Sequence, residues 1–228
     1  MKARARRLGP GPKRSRAANK AMRRRQIIDA TIDSINTRGF AETTVAEVAK
    51  AAGVSQGMLM FHFKTKDALL VETLIFLSDE YRTAWQDALE AAGDDPMARI
   101  LALVETDFSP KLCARKKVAV WYAFFGEAKS RPTYMTLCGA AEKERTKAMH
   151  ELCVQALPAE TDSIWNADTA SASLERLGDG LWLQILLSSK RTERREALRV
   201  SYCQLLSIFP SRADMIRASM EKTLGDSA

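Results

Sequence analysis

The sequence predicts an all-α fold: a small N-terminal three-helix unit joined to a larger helical body. Apolar residues recur at intervals of three and four along most of the 228 residues, the spacing that puts side chains on one face of a helix. No stretch alternates polar and apolar residues for long enough to form a half-buried strand. The seven prolines are few, and several fall where one helix would stop and another begin. No internal repeat is visible. With 46% hydrophobic residues, the chain has material for one or two ordinary cores.

The elements follow in order. From Arg23, residues Ile27, Ile28, Thr31, Ile32 and Ile35 form the apolar face of a first helix, stopped by Gly39, which tolerates the left-handed C-terminal conformation. Phe40 is placed to pack back on that face. Thr44 followed by Glu47 is a capping box, and it opens a short second helix carrying Val45, Val48, Ala49 and Ala52. Gly53 ends this helix, Val54 plugs the turn, and Ser55 caps a third helix running to about Phe61. Two short helices joined by a turn of this kind cross steeply.

Thr65 then caps a long helix, with Leu69, Leu70, Thr73, Leu74, Leu77, Tyr81 and Trp85 along one seam, which Gly93 closes. Pro96 suits a first helical position and opens a helix through Ile100, Leu101, Val104 and Phe108. Pro110, Pro132, Pro158 and Pro210 mark later breaks, and the spacing places helices at about 115–130, 132–157, 168–189, 192–208 and 211–224. The expected domains are a disordered basic arm over 1–20, the three-helix unit over 21–68 and the body over 69–228.

Charge divides the chain sharply. The first 25 residues hold eleven Lys or Arg and no acid, while residues 26–228 hold 24 basic and 28 acidic residues. A basic arm on a mildly acidic body suits a polyanion partner, because each cation that meets a phosphate releases counterions. Arg24 and Arg25, at the end of this arm, belong to the candidate DNA-contacting set. The longest apolar run, Val118–Gly126, is far short of the ~20 residues that cross a bilayer, so no membrane partner is expected. Cys113, Cys138, Cys153 and Cys203 are widely spaced, form no CxxC, and have only His62 and His150 to join them, so neither a metal nor a cofactor is expected and the chain reads as reduced and cytoplasmic.

A third helix pinned by Val54, Leu59 and Phe63 leaves Gln56, Gly57, Met60 and His62 on its other side. In a helix-turn-helix the second of the paired helices enters the major groove. Gln56 can donate to and accept from an adenine edge, Gly57 lets the backbone approach, Met60 suits a thymine methyl, and His62 and Lys66 are placed for phosphates. Each of these residues alone is equally a solvated surface position. Their combination with the basic arm and the "AGVS" turn points to nucleic acid.

The stretch "TTVAEVAKAAGVSQGMLMFHFKTKDALL" resembles the DNA-binding signature of TetR-family transcriptional regulators, over about residues 23–72. The resemblance implies a homodimer on a pseudo-palindromic double-stranded DNA operator. It assigns Ser55, Gln56, Gly57, Met60, His62 and Lys66 to recognition, with Thr44 on a phosphate. Many members carry Tyr where this chain has Met60.

In the body, "VWYAFFGEA" puts Trp121, Phe124, Phe125 and Ala128 on one stripe with Tyr122 adjacent, and "LGDGLWLQILLSS" sets Asp179 three residues from Trp182. Such a stripe serves equally as plain core, and Asp179 equally as a partner for Arg176. A carboxylate beside aromatic rings is also what a desolvated cation needs. Both segments resemble the TetR branch that represses choline-to-glycine-betaine genes. That implies a quaternary ammonium effector such as choline, on Trp121, Tyr122, Phe125, Asp179 and Trp182. The family's dimers join through their last long helices, and Leu174, Leu177, Leu181 and Ile185 with Leu198, Tyr202, Leu205 and Ile208 are the expected interface. The competing readings are a regulator of another small-molecule pathway, an enzyme in the helical body, a nonspecific DNA-coating protein and a cysteine redox sensor. Against the enzyme, no nucleophile and base stand at motif spacing and there is no Gly-rich phosphate loop.

Overall fold

The computed structural model describes residues 16–128, 132–157, 164–188 and 193–225. Among these residues it is all-α: α1 (Arg16–Arg38), α2 (Val45–Ala51), α3 (Gln56–Phe63), α4 (Lys66–Ala91), α5 (Pro96–Asp107), α6 (Arg115–Ala128), α7 (Pro132–Ala156), α8 (Ala167–Leu187), α9 (Glu193–Ile208), a 3-10 turn (Pro210–Arg212) and α10 (Ala213–Leu224). No helix among the described residues is long and apolar enough to cross a membrane.

Local chemistry explains the starts and stops. Thr44, Ser55 and Thr65 each accept a hydrogen bond from a backbone N–H three residues on, at 3.3, 3.1 and 3.0 Å. Asp95 caps α5 in the same way, ahead of Pro96. Gly53 takes φ +63° in the turn between α2 and α3, a conformation that a β-carbon would penalise. α1 begins earlier than Arg23, so residues 16–20 of the expected disordered arm are helical. Ala17, Ala18 and Ala21 favour the helix and no breaker intervenes before Arg23. Residues 1–15 of that arm lie outside the described residues.

Two hydrophobic cores organise the molecule. The first gathers Ile27, Ile28, Ile32 and Ile35 of α1, Val48 and Ala49 of α2, Leu59 and Phe63 of α3, and Leu69, Leu70, Leu74 and Leu77 of α4. Val120 and Phe124 of α6 complete it, with Phe124 edge-on to Phe40 at 5.2 Å between ring centroids. The second lies among the far half of α4 and α5 to α10, around Trp85, Met97, Ile100, Leu103, Phe108, Tyr202 and Leu205. The expected boundary at residue 68 is therefore no physical break: α4 runs unbroken through it and its seam serves the head first and the body second.

The expected dimer series is corrected by the fold. Leu174, Ile185, Leu198, Tyr202, Leu205 and Ile208 are buried within the chain, because α8 and α9 must close the body's own core before any partner arrives. Leu177 and Leu181 are only half-buried, and the large apolar side chains exposed on α8 are Leu183 and Leu187.

Candidate functional site

Two regions concentrate unusual chemistry, one on the head and one in the body. On the head, α2 and α3 stand across the "AGVS" turn. Leu59 and Phe63 anchor α3, and Gln56, Gly57, Met58, Met60 and Phe61 are exposed. Ser55 and Thr44 are exposed caps, and the Thr44 hydroxyl also donates to Glu47 Oε2 at 3.0 Å. Lys66 Nζ donates to the Ala41 carbonyl at 3.1 Å, which ties the start of α4 to the loop after α1.

Three expected contacts sit differently from the sequence reading. His62 does not stand clear of the helix: it is half-buried between the rings of Phe61 and Phe63, and its Nδ1 is buried without a hydrogen-bond partner among the described residues. Burial, then Lys20 and Arg24, lower its pKa from the usual imidazole value. Arg24 pairs with Glu72 and lies over the Phe63 ring at 4.9 Å. Arg25 pairs with Asp29 at 2.9 Å and lies over Phe76 at 4.1 Å. Both arginines therefore hold α1 to the head. Lys64 closes α3 at φ +64°, and the Thr65 N–H reaches back to the Phe63 carbonyl at 2.7 Å, a γ-turn that a non-glycine residue enters only under strain.

In the body, α4 to α8 enclose a recess of about 200 Å3. Trp121, Tyr122, Phe125, Asp179 and Trp182 all line it, so the five expected ligand residues come together from two helices distant in sequence. Trp121 stacks on Phe125 at 6.2 Å, and Tyr122 meets Phe125 edge-on at 5.7 Å. The Trp182 indole N–H donates to the Asp107 carbonyl at 3.0 Å, and the Tyr122 hydroxyl donates to the Asp179 carbonyl at 2.5 Å. The aromatic stripe of α6 is split: Trp121 and Phe125 turn to the recess, whereas Phe124 turns to the head core.

Among the lining residues that escaped the sequence reading are Tyr81 and the charged Asp107, Glu142, Arg145 and Glu175. Tyr81 sits edge-on to both Trp121 and Trp182, at 6.4 and 5.9 Å, and donates its hydroxyl to Asp107 at 2.7 Å. Arg145 is buried, donates to Asp107 at 2.5 Å and stands 3.6 Å from Glu175, while its Nε has no partner among the described residues. Burial alone would lower the Arg145 pKa, but the facing Asp107, Tyr81, Glu175 and Asp179 outweigh it and hold the guanidinium protonated.

The carboxyls move the other way. Asp107, Glu142, Glu175 and Asp179 all have pKa values raised first by burial. Mutual repulsion adds to this for Glu142, Glu175 and Asp179. Four carboxyls around one guanidinium and five aromatic rings make a recess that favours positive charge. The sequence signal for this set was weak, because Glu142 and Arg145 sit in the charged run "EKERTK", which reads as a solvated helix face.

Family models match both halves of the chain. "Bacterial regulatory proteins, tetR family" matches residues 27–73. "BetI-type transcriptional repressor, C-terminal" matches 96–210. The chain belongs to the TetR family.

This TetR-family regulator is 32% identical over 181 residues to the HTH-type transcriptional regulator BetI of Burkholderia mallei (strain NCTC 10229), covering 79% of this chain and 90% of that one. It is 31% identical over 183 residues to BetI of Yersinia pestis (strain Pestoides F), covering 78% and 88%. Among solved structures, a transcriptional regulator from Pseudomonas aeruginosa PAO1 superposes with a TM-score of 0.70 at 23% identity, over 86% of this chain and 95% of that one. A transcriptional regulator from Saccharomonospora viridis, solved in complex with choline, superposes with a TM-score of 0.65 at 22% identity, over 79% and 94%.

Proposed function

We propose that this chain is a cytoplasmic, ligand-responsive repressor whose effector is a compact organic cation of choline size, held in the body recess. The observation that carries the reading is the meeting of Trp121, Tyr122, Phe125, Trp182 and Tyr81 with Asp107, Glu142, Glu175 and Asp179 around one arginine. Ring faces attract a cation that has lost its water, and the surplus carboxylates neutralise it. The choline complex of a structural neighbour supports the same ligand class.

On the head, α3 enters the major groove of a pseudo-palindromic operator. Ser55, Gln56, Gly57 and Met60 face the groove, and Thr44 and Lys66 lie at phosphates. Arg24 and Arg25 exchange their carboxylate partners for phosphates when DNA approaches. A homodimer presents two such heads, joined through the outer faces of α8 and α9, with Leu183 and Leu187 exposed on α8. Communication runs through α6: Trp121 lines the recess, its neighbours Val120 and Phe124 are buried in the head core, and Lys116 pairs with Asp33 of α1 at 2.8 Å. Filling the recess biases α6, and the spacing of the two heads follows as a population shift.

The test uses choline against its uncharged isostere 3,3-dimethyl-1-butanol. Choline is expected to quench Trp121 and Trp182 fluorescence and to change the affinity for the chain's own promoter duplex. The neutral analogue is expected to do neither. Equal responses to the two would sink the cation reading. Asp179→Asn should weaken choline binding while leaving the duplex affinity of the empty protein unchanged.

A further inference from the structure

The recognition helix of this chain is poor in hydrogen-bonding side chains and rich in apolar ones. Leu59 and Phe63, one turn apart, face the head core, so the outward side is centred on Gly57 and Phe61, with Met58 and Met60 on its flanks. Phe61 is 66% exposed, Met58 43% and Met60 37%. Among the eight residues of α3 there is no Arg, Lys, Asn, Asp or Glu. The Ser55 hydroxyl is engaged as a cap, and His62 is half-buried. Gln56 is left as the one exposed amide.

Three large apolar side chains held in water at the tip of a head domain mark a binding surface. Its surroundings are cationic: Lys20 acts on His62 electrostatically, and the Lys64 ammonium lies 5.4 Å from the centre of the Phe61 ring. A polyanion with apolar features inside its groove matches both properties. In the major groove the apolar feature is the C5-methyl of thymine, while guanine, adenine and cytosine present donors and acceptors.

We infer that α3 reads its half-site chiefly by seating thymine methyl groups against Met58, Met60 and Phe61, with Gln56 as its one amide directed at a base edge. The inference rests on the operator-binding reading above and adds the chemistry of the specificity. It departs from readout by Arg on guanine, for which α3 has no residue. The operator core under α3 is accordingly a run of A·T pairs with thymines on the contacted strand.

The experiment selects duplexes from a random pool with the full chain, then replaces each thymine of the selected half-site, one at a time, by deoxyuridine. That exchange deletes the methyl and keeps every hydrogen-bonding group. Each methyl removed from under α3 should lower affinity about fourfold, the ratio that burial of one methyl group corresponds to. Met60→Ala and Phe61→Ala change only exposed side chains, so the fold should survive, and each should shrink the deoxyuridine penalty at the base it contacts. Unchanged affinity on deoxyuridine duplexes would overturn the inference and leave operator binding standing, as would G·C pairs in the selected core. A penalty equally large in the parent and in both variants would also overturn it. A pool that enriches no sequence would remove operator binding itself, and this inference with it.

Discussion

The head and the body handle aromatic side chains and charge in opposite ways. On α3 Phe61 and both Met side chains turn outward among cations, with Phe61 mostly in water. In the body the rings turn inward around carboxyls, with Trp182 buried and hydrogen-bonded. On the function proposed above, the difference follows from what each region meets. A duplex brings its own shape and its own negative charge, so the head needs only a rigid, projecting edge. A small cation arrives with nothing but charge and a hydration shell, so the body must enclose it and replace its water. The enclosure is costly, since desolvation raises all four lining carboxyls and mutual repulsion adds to it for Glu142, Glu175 and Asp179.

The largest expected effect tests that cost. Arg145→Met strands Asp107 and Glu175 without their cation, and breaking such a buried pair should destabilise the protein by ~3–5 kcal/mol in urea denaturation. A loss below ~1 kcal/mol would mean that the recess does not depend on its arginine, and the contrast with the head would weaken. Next comes Leu59→Ala in the head core, where Leu59 is fully buried: a cost of ~2–5 kcal/mol is expected, with operator affinity lost before choline affinity. If both fell together, head and body would be one energetic unit through α4 and α6.

The third prediction concerns pH and sharpens the body side. The folded pKa values of Asp107, Glu142, Glu175 and Asp179 lie above their unfolded values. The stability tied to them is present below the unfolded carboxyl range and is lost as pH rises through the folded values. A bound cation restores it by favouring the ionised forms. The rise in Tm on adding saturating choline should therefore grow as pH rises above the ordinary carboxyl range, because the folded values lie above it. A rise that is flat or shrinking with pH would show that these carboxyls do not meet the ligand. The smallest effect belongs to the head: Lys64→Gly relieves the φ +64° turn after α3 and should add ~1 kcal/mol of stability. No gain would show that the turn is not strained.

Much of this architecture is legible in the residues themselves. Thr44, Ser55 and Thr65 sit where the helices they cap begin, because a side-chain oxygen able to satisfy a free N–H is a local property of the chain. The aromatic members of the recess on α6 and α8 were legible too, with Asp179, since an isolated Asp179 near Trp182 on an apolar helix calls for a partner, whereas Glu175 one turn earlier was not. Arg145 was not, because a charged residue in a charged run carries no mark of burial. Tyr81 was hidden differently: it lies on the α4 seam and reads as one more core position.

The sequence by itself determined which segments are helical, where most of them after α1 start, and that the N-terminal unit belongs to a DNA-binding family. Tertiary structure alone decided how the apolar faces are shared: the α4 seam serves the head up to Leu77 and the body from Trp85, and on α6 adjacent residues Phe124 and Phe125 face the head core and the recess. It also turned Leu198, Tyr202, Leu205 and Ile208 into the chain's own core and left Leu183 and Leu187 outside. The physical reason is that periodicity states that a helix has an apolar face, whereas the neighbour that covers it is chosen by packing among segments far apart in the chain.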